Sequence, residues 1–333
     1  MTVHAEPLVA DPPRRDLRQR VWPWVRVFGG VAILAALLWR LGTGGFLDGL
    51  REVDGGTLLA ATGIGVLTTV LSAWRWCQVA RGLGISLPLA GATADYYRAL
   101  FLNAALPGGI LGDVHRAVRH GRDVGDLGLG VRAVVIERTA GQVVVVAAGL
   151  TVLLALPTPA LPPARLVTTL PGLAVVLVLA VLAALVVRRL WRGGSRWVRT
   201  GVAAVRDGLL DSRVWPGVVL ASVAVLAGYL ATFVLAARAA GVTAPTAQLL
   251  PLLVVALLAM MLPVNVGGWG PREGACAWAF GAAGLGATQG LTVAVVYGLS
   301  VFVASLPGAG VLALRWLARR SVSQAALNRS DSA

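Results

Sequence analysis

The chain has 333 residues, 57% of them hydrophobic and 13% charged, with a formal net charge of +14 and a mean hydropathy of +0.78. A soluble domain carries about 25% charged residues, so this composition excludes an ordinary soluble fold and calls for lipid. Such a positive balance would suggest nucleic acid in a soluble protein; in a membrane protein it collects on cytoplasmic loops, and no nucleic-acid partner is expected.

Residues 1–21 are polar and arginine-rich around Pro12-Pro13, and read as a disordered basic cytoplasmic tail. One transmembrane domain then occupies residues 22–320, with a first half at 22–156 and a second at 166–320. A bilayer crossing needs about 20 apolar residues, and Trp22 to Leu41 supplies the first. Arg51, Glu52 and Asp54 follow on an outer loop, and Thr57 to Trp74 returns to Arg75 and Arg81 inside.

The stretch Arg98 to Arg122, RALFLNAALPGGILGDVHRAVRHGR, starts as an apolar helix, breaks at Pro107-Gly108-Gly109 and runs into charge. Proline ends a helix and glycine accepts positive φ. Both flanks carry arginines of the inner side, so the segment reads as a re-entrant hairpin. Spans at Ala133 to Leu156 and Leu166 to Val187 lie on either side of the outer loop Pro157 to Pro163. The loop Arg188 to Arg213 is the most basic and anchors the inside. Trp215 to Ala236 leads outward, a second break lies in LLAMMLPVNVGGWGPREGACAWAF (257–280), and Thr288 to Leu314 ends at Arg315, Arg319 and Arg320 inside. Residues 321–333 form a short disordered cytoplasmic tail.

The expected fold is therefore an all-α polytopic membrane protein: six full spans, two broken re-entrant hairpins, and both termini cytoplasmic in a bacterial inner membrane. Leu106-Pro107 lies on Leu262-Pro263, and Gly108-Gly109 lies, with a short offset, on Gly267-Gly268. Gly112, Asp113 and Arg116 answer loosely to Gly270, Arg272 and Glu273. The first hairpin would enter from the cytoplasm and the second from outside, the pattern of inverted repeats whose broken helices build a midplane site.

Arginine beside a glycine turn suits an anionic headgroup, because its planar fork binds phosphate through two donors and helix N-termini add more. The candidate substrate-binding set is Arg98, Asn103, Pro107, Gly108, Gly109, Gly112, Asp113, Arg116, Glu137, Arg138, Pro263, Gly267, Gly268, Gly270, Arg272 and Glu273. Asp113, Glu137 and Glu273 would orient the arginines, and Glu137–Arg138 and Arg272–Glu273 also read as pairs that fix packing. Asn103 could satisfy carbonyls freed by Pro107. Cys77 and Cys276 lack CxxC spacing, and His4, His115 and His120 make no cluster, so no zinc site or other metal is expected. Without GxSxG, Walker or GxGxxG spacing, no catalytic residue and no cofactor is assigned.

These motifs resemble a known family. Asn103 through LPGG to Gly112-Asp113 and Arg116, the dipeptide Glu137-Arg138, and LPVNVGGWGPRE from Leu262 to Glu273 are similar in order and spacing to the lysylphosphatidylglycerol synthase transmembrane-region family of flippase-like membrane proteins. The resemblance runs from about residue 25 to 320. Its best-understood members join this membrane domain to a soluble aminoacyl transferase that lysinylates phosphatidylglycerol, and the membrane domain is taken to flip the product. The chain ends soon after its last span, so no transferase domain and no synthase activity are expected. Trp269 and Pro271 around Gly270, and Thr139 onward after Arg138, depart from the family pattern and bear on lipid identity.

The leading expectation is a protein that binds and flips an anionic phospholipid or lipid-linked intermediate. The alternatives are a membrane glycosyltransferase or lipid-modifying enzyme using Glu52 and Asp54, and a non-transporting scaffold for a separately encoded transferase or glycosyltransferase. Membrane lipids are the expected partners, and homo-oligomerisation is left open.

Overall fold

The computed structural model describes residues 35, 39, 43–51, 53–106, 109–155, 214–262 and 269–317. The expected spans at Trp22–Leu41 and Leu166–Val187, the basic loop Arg188–Arg213, both terminal tails, and Pro107, Gly108, Pro263, Gly267 and Gly268 lie outside them. In chain order the helices are α1 (Gly44–Arg51), α2 (Gly55–Gly82), α3 (Leu89–Ala105), α4 (Leu111–Asp123), α5 (Leu127–Ala155), α6 (Trp215–Ala239), α7 (Thr246–Ala259), α8 (Pro271–Ala282) and α9 (Ala287–Ser305). No strand occurs among the described residues. Helix α9 continues as one apolar run to Leu317, and α2, α5, α6 and α9 are long and apolar enough to cross a membrane. Their outward residues fit that reading: Leu59, Leu67, Val135, Val143, Leu220 and Val223 are all exposed.

Helix α2 is longer than the span read at Thr57–Trp74. It starts where the Thr57 amide donates to Asp54 Oδ1 at 2.5 Å, a side-chain cap that satisfies an orphan N–H of the first turn. The same amide holds the Asp54 carboxyl below the usual carboxylate range. The helix does not stop at the charge of Arg75. That residue is buried within it, because a partner carboxylate on α5 neutralises it.

Helices α2 and α6 end in the same way. At α2 the chain reads Ala80-Arg81, then Gly84-Ile85-Ser86 and Pro88; at α6 it reads Ala237-Arg238, then Gly241-Val242-Thr243 and Pro245. Gly84 (φ 78°) and Gly241 (φ 76°) hold the left-handed turn, where a side chain would be strained. The Ile85 amide donates to Ala80 O at 2.9 Å and the Val242 amide to Ala237 O at 2.9 Å. Pro88 and Pro245, both extended, then open α3 and α7. Each of these helices breaks after a short run and is followed by a second short helix, a glycine turn (Gly125; Gly284 and Gly286) and a long apolar helix.

Helices α2 and α6 pack against each other. Gly217 approaches Gln78 and Trp74, Arg75 reaches Ser222, and Gly228 approaches Thr68 and Ile64. The partners descend along α2 as they climb along α6, so the two helices run antiparallel. Two glycines make exchanged contacts across the molecule. A Cβ on Gly149 of α5 would meet Val254 and Leu258 of α7, and one on Gly308 would meet Tyr97 and Phe101 of α3.

These two contacts differ in tolerance. At Gly149 the neighbours are side-chain tips, the nearest 3.1 Å away, whereas at Gly308 the added carbon would lie 2.2 Å from the Tyr97 carbonyl oxygen. Overpacking a close contact costs about 1–3 kcal/mol. Thermal unfolding in detergent is therefore expected to show a clear drop in midpoint for Gly308→Ala and a smaller one for Gly149→Ala. Equal midpoints would contradict the packing at Gly308.

Candidate functional site

The first helix break sets the geometry. Helix α3 ends at Ala105, Leu106 turns extended, and Gly109 sits at φ 61° before α4 begins at Leu111. The two short helices touch so closely that a Cβ on Gly112 would lie 2.1 Å from the Ala99 carbonyl oxygen; only glycine fits. Asn103 ties the break together. Its Oδ1 accepts from the Gly112 amide at 2.8 Å, and its Nδ2 donates to Asp113 Oδ2 at 2.9 Å. It therefore serves the N-terminus of α4 and not the carbonyls freed by proline, because the turn brings α4's free N–H groups back to it.

Below the break lies a buried network. Glu137 of α5 is 0% exposed. Its Oε1 accepts from Arg75 Nε at 2.9 Å, Arg75 Nη2 at 2.5 Å and the Tyr96 hydroxyl at 3.2 Å, and its Oε2 accepts from Arg116 Nη2 at 2.8 Å. The third Arg75 nitrogen, Nη1, donates to Ser222 of α6 at 3.1 Å. Asp113 accepts from Arg138 Nη2 at 2.7 Å and Nε at 3.1 Å, and also lies 3.2 Å from Arg116 Nη2. Glu137 and Arg138, adjacent in sequence, thus take different partners, since neighbours on a helix point about 100° apart.

Arg116 is 1% exposed, sandwiched between Trp76 and Tyr96 with its guanidinium carbon 4.5 and 4.3 Å from the two ring centroids. Cation–π contacts of this kind partly replace lost hydration. In charge terms, Asp113 is matched by Arg138, while Arg75 and Arg116 share the single carboxylate of Glu137. Among the described residues of this network, one positive charge is left over.

Arg98 is buried but stands apart from this network, pairing with Asp95 at 3.3 Å. Asp95 also takes Arg315 at 2.7 Å and Arg119 at 3.7 Å, joining α3, α4 and the end of α9. The outer face of α4 borders an open groove of about 570 Å³ lined by Leu111, Val114, His115, Val118, Arg119, Arg122 and Asp123. Its lining mixes the apolar Leu111, Val114 and Val118 with two arginines, a histidine and Asp123.

The second break carries a smaller, balanced pair. Arg272 donates Nε to Glu273 Oε1 at 2.9 Å, and its Nη2 also contacts that oxygen. Glu273 Oε2 accepts from the Gly270 amide at 2.7 Å. Arg272 lies over Trp269 and Tyr297 at 5.0 and 5.3 Å, and Tyr297 stacks on Phe233. Tyr229 of α6 is half-buried against the apolar cluster that holds Phe233 and Tyr297.

Sequence reading found Asn103, Gly112, Asp113, Arg116, Glu137, Arg138, Arg272 and Glu273, and the fold gathers them into these two clusters. It missed Arg75, Trp76 and Tyr96. The positive-inside rule places Arg75 with the inner-loop arginines; the signal that could have found it is its position about two turns before the end of α2 at Gly82, flanked by Trp74 and Trp76. Asp54 caps α2, and Glu52 lies outside the described residues. Among the described residues no group of His, Cys, Asp and Glu is placed to hold a metal.

The sequence matches the family described as the lysylphosphatidylglycerol synthase TM region over residues 27–308. No curated protein and no solved structure matches it.

Removing one member of a buried pair costs about 3–5 kcal/mol, because its partner is left charged and dry. Glu137→Ala strands both Arg75 and Arg116, so its loss in chemical denaturation is expected to exceed that of Arg138→Ala, whose side chain is one-third exposed. Equal losses would contradict the central position of Glu137.

Proposed function

Because the chain belongs to the lysylphosphatidylglycerol synthase transmembrane-region family, we propose that this multi-pass membrane protein binds an anionic phospholipid, or a lipid-linked intermediate, at the Arg116 network and carries its headgroup between leaflets. The observation that carries the reading is the surplus positive charge of that network, buried beside a helix break. Ionisable groups inside a membrane are costly and face a bundle interior or a water-filled path, and broken backbone at membrane depth survives only in the same surroundings. A phosphate-bearing headgroup supplies the missing negative charge.

The wider architecture supports movement as well as binding. The repeated order of long helix, broken pair and long helix, the matched Gly84 and Gly241 turns, antiparallel α2 and α6, and the exchanged contacts of Gly149 and Gly308 are what two halves related by a twofold axis in the membrane plane would produce. In this reading the α3–α4 and α7–α8 pairs are re-entrant hairpins on opposite sides, and six spans complete the domain. The groove on α4, lined by apolar side chains together with Arg119 and Arg122, suits a lipid drawn from the cytoplasmic leaflet.

A charged hydrogen bond to the headgroup is worth about 1.5–3 kcal/mol, roughly ten- to a hundredfold in affinity. In proteoliposomes, Arg116→Ala is expected to abolish translocation of labelled phosphatidylglycerol while folded protein persists. Arg238→Ala, which loses only bonds to Val242 O and Thr246, is expected to retain it. Unchanged translocation in Arg116→Ala would refute the proposal.

A further inference from the structure

Three residues at the network carry buried side-chain nitrogens that find no partner among the described residues: Trp76 at Nε1, Arg116 at Nε and Nη1, and His120 at Nε2. They are 0%, 1% and 3% exposed. Buried polar groups are almost always paired, and an unpaired one costs on the order of 1–3 kcal/mol. Three such residues at one place call for an occupant.

They form a single cluster. Arg116 and His120 stand four residues apart on the inner face of α4, and both touch the same indole. The Arg116 guanidinium lies over the Trp76 ring, and the His120 ring meets Trp76 edge-on with centroids 5.1 Å apart. The aromatic contact holds all three side chains in place without using these nitrogens. Ala117, Cys77 and Ala92 close the surroundings with apolar surface, so the nitrogens cannot turn to bulk water.

Charge decides what fits. Arg75, Arg116 and Arg138 face the two carboxylates of Glu137 and Asp113, one negative charge short of balance among the described residues. A lone buried charge is expensive unless it is paired. One negative charge closes the balance, whereas a dianion would reverse it.

We propose that Trp76, Arg116 and His120 form an occluded site for one singly charged anion. The inference rests on the lipid-binding reading only for the anion's source. A phosphodiester of a lipid headgroup and a free halide present the same charge to the same donors.

The test uses the full chain, purified in an uncharged detergent with gluconate as background salt at constant ionic strength. The thermal unfolding midpoint is followed while bromide, dimethyl phosphate or sulfate is added. A saturable rise with dimethyl phosphate supports the site and assigns it to lipid phosphodiesters. A saturable rise with bromide alone supports it as a halide site, and then lipid translocation stands or falls separately in the proteoliposome assay. No saturable rise with either monoanion, or an equal rise with sulfate, overturns the inference and leaves an occluded water only. Arg116→Ala also removes one of Glu137's partners, so Trp76→Phe, which leaves that pair in place, is the decisive variant. It keeps a ring under Arg116 and deletes the Nε1 donor. Its half-saturating anion concentration is expected to rise about tenfold; an unchanged value would also overturn the site.

Discussion

The carboxylate of Glu137 is the constraint on which the first half of the molecule depends. It sits on α5, takes Arg75 from α2, Arg116 from α4 and Tyr96 from α3, and through Arg75 reaches Ser222 on α6. Five helices therefore meet at one ionised group that would be untenable in an apolar interior by itself. Hydrophobic packing cannot fix such an arrangement in a membrane, because lipid tails compete equally for apolar surface. Geometry is set by directional bonds to a buried charge, and by glycines that let backbones approach.

Close-approach glycines recur after both breaks. Gly130 admits α5 against α4 at Gly121, and Gly290 admits α9 against α8 at Cys276. The clusters at the two breaks nevertheless differ in chemistry. At the first, two arginines compete for one glutamate, and nitrogens on Trp76, Arg116 and His120 find no partner among the described residues. At the second, Arg272 and Glu273 satisfy each other and the Gly270 amide. Similar scaffolding thus carries an electrostatic surplus on one side and a neutral pair on the other. That asymmetry locates the proposed headgroup contact at Arg116, nearer one hairpin than the space midway between them.

The sequence made the membrane class, the two breaks and most of the charged residues legible, because each leaves a local mark: apolar length, a proline-glycine stop, an ionisable group where none is expected. Partnerships were harder to read. Glu137 and Arg138 looked like a pair by adjacency, yet the helix turns them toward Arg116 and Asp113 respectively. Arg75 looked like an inner-loop residue under the positive-inside rule, which cannot distinguish an arginine facing water from one neutralised 62 residues away. Asn103 was read against the carbonyls freed by proline; its real contacts depend on how tightly the chain folds back. The turn motif shared by Gly84 and Gly241 leaves a weaker mark than the Leu-Pro stops, because a lone glycine after an arginine is common in a chain with 41 glycines.

The most direct measurement of the central claim is the lipid that remains bound to the purified protein, identified by native mass spectrometry after mild detergent extraction. Wild-type protein is expected to retain about one anionic phospholipid per chain, enriched over its share of the source membrane, and Arg116→Lys, which keeps charge but loses the planar fork, is expected to retain much less. Zwitterionic lipid in bulk-membrane proportions, identical in both proteins, would contradict an anionic headgroup site at this network.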